Sequence, residues 1–262
     1  MADLSIHEGK RATDGLWRVS ATDSLLRRPP EAGDVLAAEL HCHSALSHDG
    51  RDPVELLLGQ AEAVGLDALA VTDHDEIDAS LDAVEKAAEY DLIGIPGMEV
   101  SSADGHVLAL GVRERVPAGL PFADTLDRIR DLGGIAVVPH PFQESRSGVL
   151  ENISQAELTE ADAIEVYNSR LLTGRSNRQA KRFAQRNHMP MTAGSDAHIS
   201  EMVGQAVTRI DATEPTVDAI LDAIREGHTT VEGKRTPWRI SFRQAAGGVK
   251  RRVVSRVGGM LP

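Results

Sequence analysis

The sequence predicts an α/β fold of parallel strands, arranged as a closed β/α barrel in preference to an open, doubly wound sheet. Short apolar runs alternate with amphipathic helical patterns through most of the 262 residues. The runs are rich in β-branched residues and apolar throughout, which is typical of parallel strands buried on both faces. Histidine and carboxylate residues follow most of these runs, and a closed barrel gathers strand ends that an open sheet would spread along an edge.

The first half of the pattern begins with a predicted strand over 35–40 (VLAAEL) and a helix over 53–64. A second strand over 68–72 (ALAVT) and a helix over 77–90 follow. The apolar run LIGIPGME then predicts a third strand over 92–99. Strands and helices that alternate through short links indicate repeated β/α units.

The second half continues in the same way. HVLALGV predicts a strand over 106–112, and the next helix, over 122–132, ends at Gly133 and Gly134. The remaining predicted elements are strands over 135–139, 163–168, 191–195, 205–210 and 228–231, and helices over 175–187 and 217–226.

The predicted barrel domain covers residues 34–233. Residues 1–33 lack sustained periodicity and contain the helix-breaking RRPPEAG, so they are predicted to form an N-terminal arm. Residues 234–262 are a basic C-terminal tail with eight Lys or Arg and no acid, and because the whole chain carries −12, residues 1–233 carry −20. This acidic body argues against binding of nucleic-acid backbones through its surface.

Composition also excludes several classes of protein. No apolar run is long enough to cross a bilayer, and the start of the sequence lacks a secretory signal, so we expect a cytoplasmic protein without a membrane partner. The single cysteine, Cys42, excludes an internal disulfide and a cysteine-rich zinc site.

Candidate metal ligands lie at the predicted strand ends. His41 and His43, two residues apart after the first strand, point to one side while Cys42 points to the other. His106 begins a strand, so the pattern alone does not distinguish a ligand from a turn residue. The other candidates follow later strands and are His74 in TDHD, Glu99 in GMEV, His140 in VPHP, and Asp196 and His198 in SDAH.

These residue types predict hydrolytic metal chemistry. Asp73 and Asp75 flank His74, and we expect them to orient its ring by accepting the second ring proton. Imidazole and carboxylate without thiolate favour Zn, Mn or Fe, and the number of candidates exceeds one tetrahedral centre, so two or three divalent ions are predicted. Ions roughly 3.5–4 Å apart suit in-line displacement at phosphorus. Because no nucleophilic side chain with an adjacent base stands out, we expect direct attack by a metal-bridging hydroxide.

Six segments between residues 39 and 198 resemble the polymerase and histidinol phosphatase (PHP) superfamily: HCHSALSHDG, TDHDEID, GMEVS, HVLALG, VPHPF and GSDAH. The resemblance implies a distorted seven-stranded β/α barrel, similar to a TIM barrel, with a trinuclear site at the carboxyl ends of the strands and activity on phosphoesters. It implies one metal on His41, His43, Glu99 and Asp196, a second on Glu99, His106 and His140, and a third on Asp49, His74 and His198.

The segment DAIEVYNSRLLTGRSNRQAKRFA resembles the small stand-alone members of that superfamily, which include nucleoside bisphosphate and nucleotide phosphatases. We therefore expect hydrolysis of a phosphate monoester of a small, nucleotide-like metabolite, with Glu99, Asp196 and His140 as catalytic residues. A phosphate also needs cationic and polar donors. The candidate substrate-binding residues, at or after strand ends, are Arg146, Arg170 and Asn168.

Other interpretations stay open at this point. An amidohydrolase would use a similar barrel to cleave C–N bonds, although no lysine lies at a strand end to form a carbamylated bridge. An RNA 5′-end exonuclease or a nucleic-acid-binding scaffold would use the basic tail, where Trp238 and Phe242 can stack on bases. His48 and Asp49 compete for one ligand position; the residues alone leave the two open, and the resemblance favours Asp49. The oligomeric state is not predicted.

Overall fold

The computed structural model describes residues 29–143, 148–170 and 174–234, which form a mixed α/β fold with two five-stranded sheets. The strands are β1 (Val35–Cys42), β2 (Ala68–Val71), β3 (Ile93–Ile95), β4 (Gly97–Ser101), β5 (His106–Leu110), β6 (Ile135–Val138), β7 (Ala163–Asn168), β8 (Met191–Gly194), β9 (Ala206–Asp211) and β10 (Thr229–Gly233). The first sheet has the order β10-β9-β1-β2-β3 and the second β4-β5-β6-β7-β8.

Helices pack against the strands of both sheets. The α-helices are α1 (Val54–Ala63), α2 (Asp78–Lys86), α3 (Phe122–Asp131), α4 (Gln155–Leu158), α5 (Arg175–Arg186) and α6 (Val217–Arg225), and short 3-10 helices lie at Ala87–Tyr90, Val149–Glu151 and Ser200–Met202. Nearly every predicted helix and strand is confirmed to within two residues. No helix among the described residues is long and apolar enough to cross a membrane.

Apolar side chains fill the space between the two sheets. Leu40 of β1, Leu108 of β5 and Val137 of β6 belong to one buried cluster, and α6 contributes Ile220 and Ile224 to it. Each of these side chains is at most 1% exposed. Burial of a side chain of this size contributes about 1.5–3 kcal/mol. This packing holds the sheets face to face below the polar residues at the strand ends.

The expectation that all strands are parallel is wrong. β1–β2, β2–β3, β6–β7 and β7–β8 are parallel, whereas β1–β9, β9–β10, β4–β5 and β5–β6 are antiparallel. A tight turn joins β4 to β5, in which the Ser102 N–H donates to the Gly105 carbonyl, and so short a link permits only antiparallel pairing. Because β5 runs opposite to its neighbours, its first residue, His106, lies at the edge where the parallel strands end.

The predicted third strand, 92–99, is in fact two strands that belong to different sheets. β3 pairs with β2 in the first sheet, and β4 pairs with β5 in the second. Pro96 lies between them, and a proline has no N–H to continue a ladder. The chain crosses between the sheets here, so Glu99 belongs to the second sheet while His41 belongs to the first.

The two sheets meet at two isolated bridges, Cys42 with Ala197 and His74 with Glu99. The described strands therefore do not pair around a closed barrel, and the predicted seven-stranded ring is not formed by continuous pairing. The reason lies in the first sheet, where β3 occupies the free edge of β2 and β9 occupies the free edge of β1. Backbone bridges to the second sheet therefore form only around the ends of β1 and β2. Nearly all of the predicted arm and tail lies outside the described residues.

Candidate metal centre

The carboxylate of Glu99 lies among imidazole rings at the edge where the two sheets meet. Its Oε2 atom is 3.3 Å from Nε2 of His41 and 3.3 Å from Nε2 of His43. Its Oε1 atom is 2.9 Å from Nδ1 of His106 and 3.6 Å from Nε2 of His140. Glu99 itself is 1% exposed, so its charge is surrounded by nitrogen atoms instead of water.

A second group of side chains extends the cluster towards solvent. His74 Nδ1 is 3.4 Å from Glu99 Oε2, and His74 Nε2 is 3.7 Å from Asp49 Oδ2. The same Asp49 oxygen lies 2.5 Å from His198 Nε2. His48 is exposed, and its ring centroid is 4.8 Å from that of His74. Asp49 therefore points into the cluster, whereas His48 covers its solvent side.

Asp196 joins the two groups. Its Oδ1 atom is 3.7 Å from His43 Nε2 and 3.3 Å from His198 Nδ1. Five triads of this cluster have ligand atoms within 4.8 Å of one another: His41–His140–Asp196, His41–His43–Glu99, His43–Asp196–His198, His43–Asp49–His74 and His74–Glu99–His106. The structure thus brings all the predicted metal ligands together. His140 lies near Glu99, as the predicted second site requires, and also forms a triad with His41 and Asp196.

The cluster leaves several buried polar atoms without hydrogen bonds. Among the described residues these include both ring nitrogens of His43, Nδ1 of His74 and Nδ1 of His140, whereas Oε1 of Glu99 has His106 Nδ1 at 2.9 Å. A buried polar atom without a partner costs about 1–3 kcal/mol. Atoms of this kind are suited to donate lone pairs to cations, so the donor set fits divalent ions.

The electrostatics of the cluster follow from burial and from its mixture of charges. Burial opposes ionisation of Glu99, but the charges of His41, His74 and His106 hold the pKa of its carboxyl well below the usual range. Burial, assisted by His198, lowers the pKa of His43 well below its ordinary value. Burial would also lower the pKa of His74, yet Glu99 and then Asp49 raise it to about 9.

Two ligand residues have unusual backbone conformations. His140 has φ +33° and Asp196 has φ +52°, in the left-handed region that residues other than glycine seldom adopt. The Asp196 N–H donates to the His41 carbonyl at 2.8 Å, and the His140 N–H donates to Glu165 Oε2 at 3.0 Å. Strained backbone of this kind concentrates at functional sites, where the surroundings hold it in place.

Asp73 and Asp75 do not orient His74 as predicted, because their oxygens are directed elsewhere. Asp73 accepts from the N–H and the hydroxyl of Ser44, at 2.6 and 2.5 Å. Asp75 accepts from the Ser101 N–H at 2.7 Å. Asp73 therefore links the loop that carries His74 to Ser44, the residue after His43, and Asp75 links the same loop to the end of β4.

The predicted substrate-binding residues differ in their surroundings. Arg170 Nη1 is 3.0 Å from Asp196 Oδ1 and 2.8 Å from His198 Nε2, and the arginine side chain is 23% exposed. Asn168 is buried, and its Nδ2 donates to Glu165 Oε2 at 3.0 Å and approaches Asp196 Oδ2 at 3.4 Å. Arg146 lies outside the described residues.

Sequence reasoning missed Glu165, a buried residue of β7. Its Oε1 atom is 3.0 Å from His41 Nδ1, and its Oε2 atom accepts from the His140 N–H and the Asn168 amide. The available signal was a carboxylate among the apolar residues of the strand AIEVYN, since a buried acid is seldom found without partners. Glu39 in β1 is a similar case, which accepts backbone N–H groups of Ser195 and Gly204.

Relatives of known sequence share much of this chain. A family model described as PHP-associated matches residues 174–229. The uncharacterized protein MJ0417 of Methanocaldococcus jannaschii is 30% identical over 175 residues, which are 65% of this chain and 69% of that protein. The uncharacterized protein MJ1587 of the same organism is 28% identical over 144 residues, 51% of this chain and 82% of that protein.

Solved structures share the fold at lower identity. A two-domain protein from Bacteroides vulgatus that contains a predicted PHP-like metal-dependent phosphoesterase superposes with a TM-score of 0.66 and 20% identity, over 79% of this chain and 67% of that one. The lesion-specific endonuclease PfuEndoQ from Pyrococcus furiosus superposes with a TM-score of 0.57 and 16% identity, over 76% of this chain and 58% of that one.

Proposed function

The chain belongs to the PHP superfamily, and from that membership we propose that it is a metal-dependent phosphoesterase that hydrolyses a phosphate monoester of a small, nucleotide-like metabolite. The observation that carries the proposal is the Glu99 carboxylate with five imidazoles around it, several of whose buried atoms have no hydrogen bond. The Bacteroides vulgatus protein, which contains a predicted PHP-like metal-dependent phosphoesterase, supports the same chemistry.

The cluster would hold two or three divalent ions, of Mn, Zn or Fe. We assign the first ion to His41, His43, Glu99 and Asp196, the second to Glu99, His106 and His140, and the third to Asp49, His74 and His198. Bound there, the ions would supply an activated water and neutralise charge on the phosphoryl group. Glu99, Asp196 and His140 would act in catalysis by holding these ions against the substrate.

Residues around the cluster would bind and orient the phosphate. Arg170 is partly exposed beside Asp196 and His198, so its guanidinium would meet a phosphate at the same edge. Arg146 and Asn168 are proposed as further contacts. The hydroxyls of Ser44, Ser169 and Ser195 donate to Asp73 or to backbone carbonyls and not to an imidazole, which supports hydrolysis by water over a covalent intermediate.

The fold proposed for this site is the distorted barrel of the superfamily. In it β1, β2, β4, β5, β6, β7 and β8 would be the seven barrel strands, with β3, β9 and β10 added outside. The isolated bridges from Cys42 to Ala197 and from His74 to Glu99 support this interpretation, because they are where such a ring would close.

The test is phosphate release by the purified chain. We expect hydrolysis of p-nitrophenyl phosphate and of one or more nucleotides with Mn²⁺, loss of activity with a chelator, and loss in His41→Ala. His228→Ala, at an exposed histidine beside Glu226, is the matched control and should keep full activity. Failure of the unchanged chain with every metal and every monoester tested would contradict the proposal.

A second candidate is hydrolysis of a phosphodiester in nucleic acid. It is favoured by the position of Gly233, which packs against the ring of Tyr167, the residue before Asn168. In the sequence, the basic residues 234–262 follow Gly233 immediately. Short RNA and DNA in the substrate panel, with a variant ending at residue 234, would separate the two candidates, because only a nucleic-acid substrate should depend on the tail.

A further inference from the structure

Glu165, which is not a candidate metal ligand, contacts the ring of the candidate ligand His41. The two residues are 124 positions apart, lie on β7 and β1, and are 2% and 0% exposed. Glu165 Oε1 is 3.0 Å from His41 Nδ1, while His41 Nε2 faces Glu99 at 3.3 Å. The His41 ring therefore has Nδ1 next to the Glu165 carboxylate and Nε2 next to the Glu99 carboxylate.

The other oxygen of Glu165 is fully occupied by donors. Oε2 accepts from the His140 N–H and from the Asn168 Nδ2, each at 3.0 Å. Both groups are N–H donors, so this position requires an acceptor. The carboxylate thereby connects the ring of His41 with the backbone of His140, which has a left-handed conformation.

Gly194 of β8 leaves the space in which this contact forms. A Cβ atom there would lie 2.4 Å from His41 Cβ and 2.6 Å from Glu165 Oε1. Any other residue would push β1 and β7 side chains apart, so the glycine is explained by close approach and not by its turn propensity.

We propose that Glu165 is a positioning residue that holds His41 in the Nδ1–H tautomer and so leaves Nε2 free to bind a metal ion. A histidine ligand commonly donates its second N–H to a carboxylate, which fixes the tautomer and the ring orientation. This inference rests on the metal site of the proposed function and adds a residue to it that binds neither metal nor substrate.

The variant Glu165→Gln gives a directional test. Because the His140 N–H and the Asn168 amide both need an acceptor, the glutamine carbonyl should take the place of Oε2. Its NH₂ group would then face His41 Nδ1 as a donor. His41 would have to carry its proton on Nε2, the nitrogen that faces the cluster.

The experiment measures Zn²⁺ binding by competition with a chromophoric chelator, and the His41 tautomer by long-range ¹H–¹⁵N spectra of the Zn²⁺-loaded chain. In Glu165→Gln we expect the binding step that His41→Ala removes to weaken by about 10- to 100-fold. Glu39→Gln is the matched control, because Glu39 is also buried but accepts from the backbone N–H groups of His41, Ser195 and Gly204 and not from an imidazole ring. It should lower thermal stability and leave that step within about threefold.

Three outcomes are distinguishable. If the unchanged chain binds none of Zn²⁺, Mn²⁺ and Fe²⁺, the metal site of the proposed function fails. If it binds Zn²⁺ and Glu165→Gln binds equally well with the Nδ1 proton retained, only the role of Glu165 is overturned. Should Glu165→Gln not fold, the spectrum of the unchanged chain decides, because a proton on His41 Nε2 contradicts the proposal and one on Nδ1 supports it.

Discussion

Arg170 Nη1 lies 3.0 Å from Asp196 Oδ1 and 2.8 Å from His198 Nε2, so one guanidinium contacts two candidate ligands. The positive charge of Arg170 thus lies at the same edge of the sheets as the proposed metal ions. Its 23% exposure leaves part of the group open to a substrate.

Arg170→Ala is expected to lower kcat/KM for phosphate monoesters by about 10- to 100-fold, the loss typical of a hydrogen bond to a charged group. The reason is that the variant removes a phosphate donor and also leaves Asp196 without its cation. Steady-state kinetics with Mn²⁺ would measure the loss. Arg209→Ala, at an arginine paired with Glu232 on β9 and β10, is the control and should change kcat/KM less than twofold. Equal losses in both variants would contradict the role of Arg170.

Removal of metal is expected to destabilise the fold. One ion present at 100 times its Kd adds about 2.7 kcal/mol to the free energy of unfolding, which raises Tm by roughly 5–10 °C in a chain of this size. Differential scanning fluorimetry with Mn²⁺ and with a chelator would show the shift. His41→Ala should lose it and His228→Ala should keep it. No shift in the unchanged chain would count against a metal site.

Gly194→Ala is expected to destabilise the protein by about 1–3 kcal/mol or more and to weaken metal binding, because its Cβ would overlap His41 and Glu165. Urea unfolding measures the first effect and chelator competition the second. Gly59→Ala in α1 is the matched control. Its Cβ would meet only Tyr90 at 3.8 Å, so it should be neutral or stabilise the helix by about 0.5–1 kcal/mol.

Ion binding is expected to release protons at neutral pH. Burial alone would lower the pKa of His74, but Glu99 and Asp49 raise it to about 9, so the metal-free chain has a cation there at pH 7. In the metal-free chain the charge on His74 stabilises the fold, and this stabilisation is complete below the pKa of an unfolded histidine. The stabilisation is lost as the pH rises through about 9. Metal binding should therefore tighten from pH 6 to pH 9.

Calorimetric titration in two buffers of different ionisation enthalpy counts the protons released. His74→Gln should release about one fewer proton than the unchanged chain. An unchanged count in that variant would show that His74 is neutral before the ion binds.

Asp49 and His48 give opposite expectations for metal content. Asp49 Oδ2 lies against His198 and His74, whereas His48 is exposed over the His74 ring. Asp49→Asn should lower metal content by about one ion per chain. His48→Ala should leave the content unchanged. Metal analysis after dialysis against a weak chelator decides between them, and the reverse result would exchange their assignments.

Much of the fold was predictable, because apolar runs and amphipathic faces depend on local spacing. Strand direction was not, since β5 has the same apolar pattern whether it runs parallel or antiparallel. The break at Pro96 that divides the predicted third strand into β3 and β4 was missed for a related reason. An apolar run does not show that its two halves belong to different sheets.

The candidate site was predictable to the extent that its ligands are unusual residues after apolar strands. His106 illustrates the limit, because its membership follows from the reversed direction of β5 and not from its own spacing. Glu165 could not be assigned, because its partner His41 is 124 residues away and no local pattern connects them.

The two isolated bridges between the sheets have a kinetic consequence. Cys42 and His74 make these bridges, and both lie next to or within the ligand cluster. An ion held by His41 from one sheet and Glu99 from the other would link the two sheets at the place where only isolated bridges join their backbones. Loss of that ion should then loosen the junction while the core stays packed, so that amide hydrogen exchange at His43 and Asp75, whose N–H groups cross the junction, should be faster in the metal-free chain.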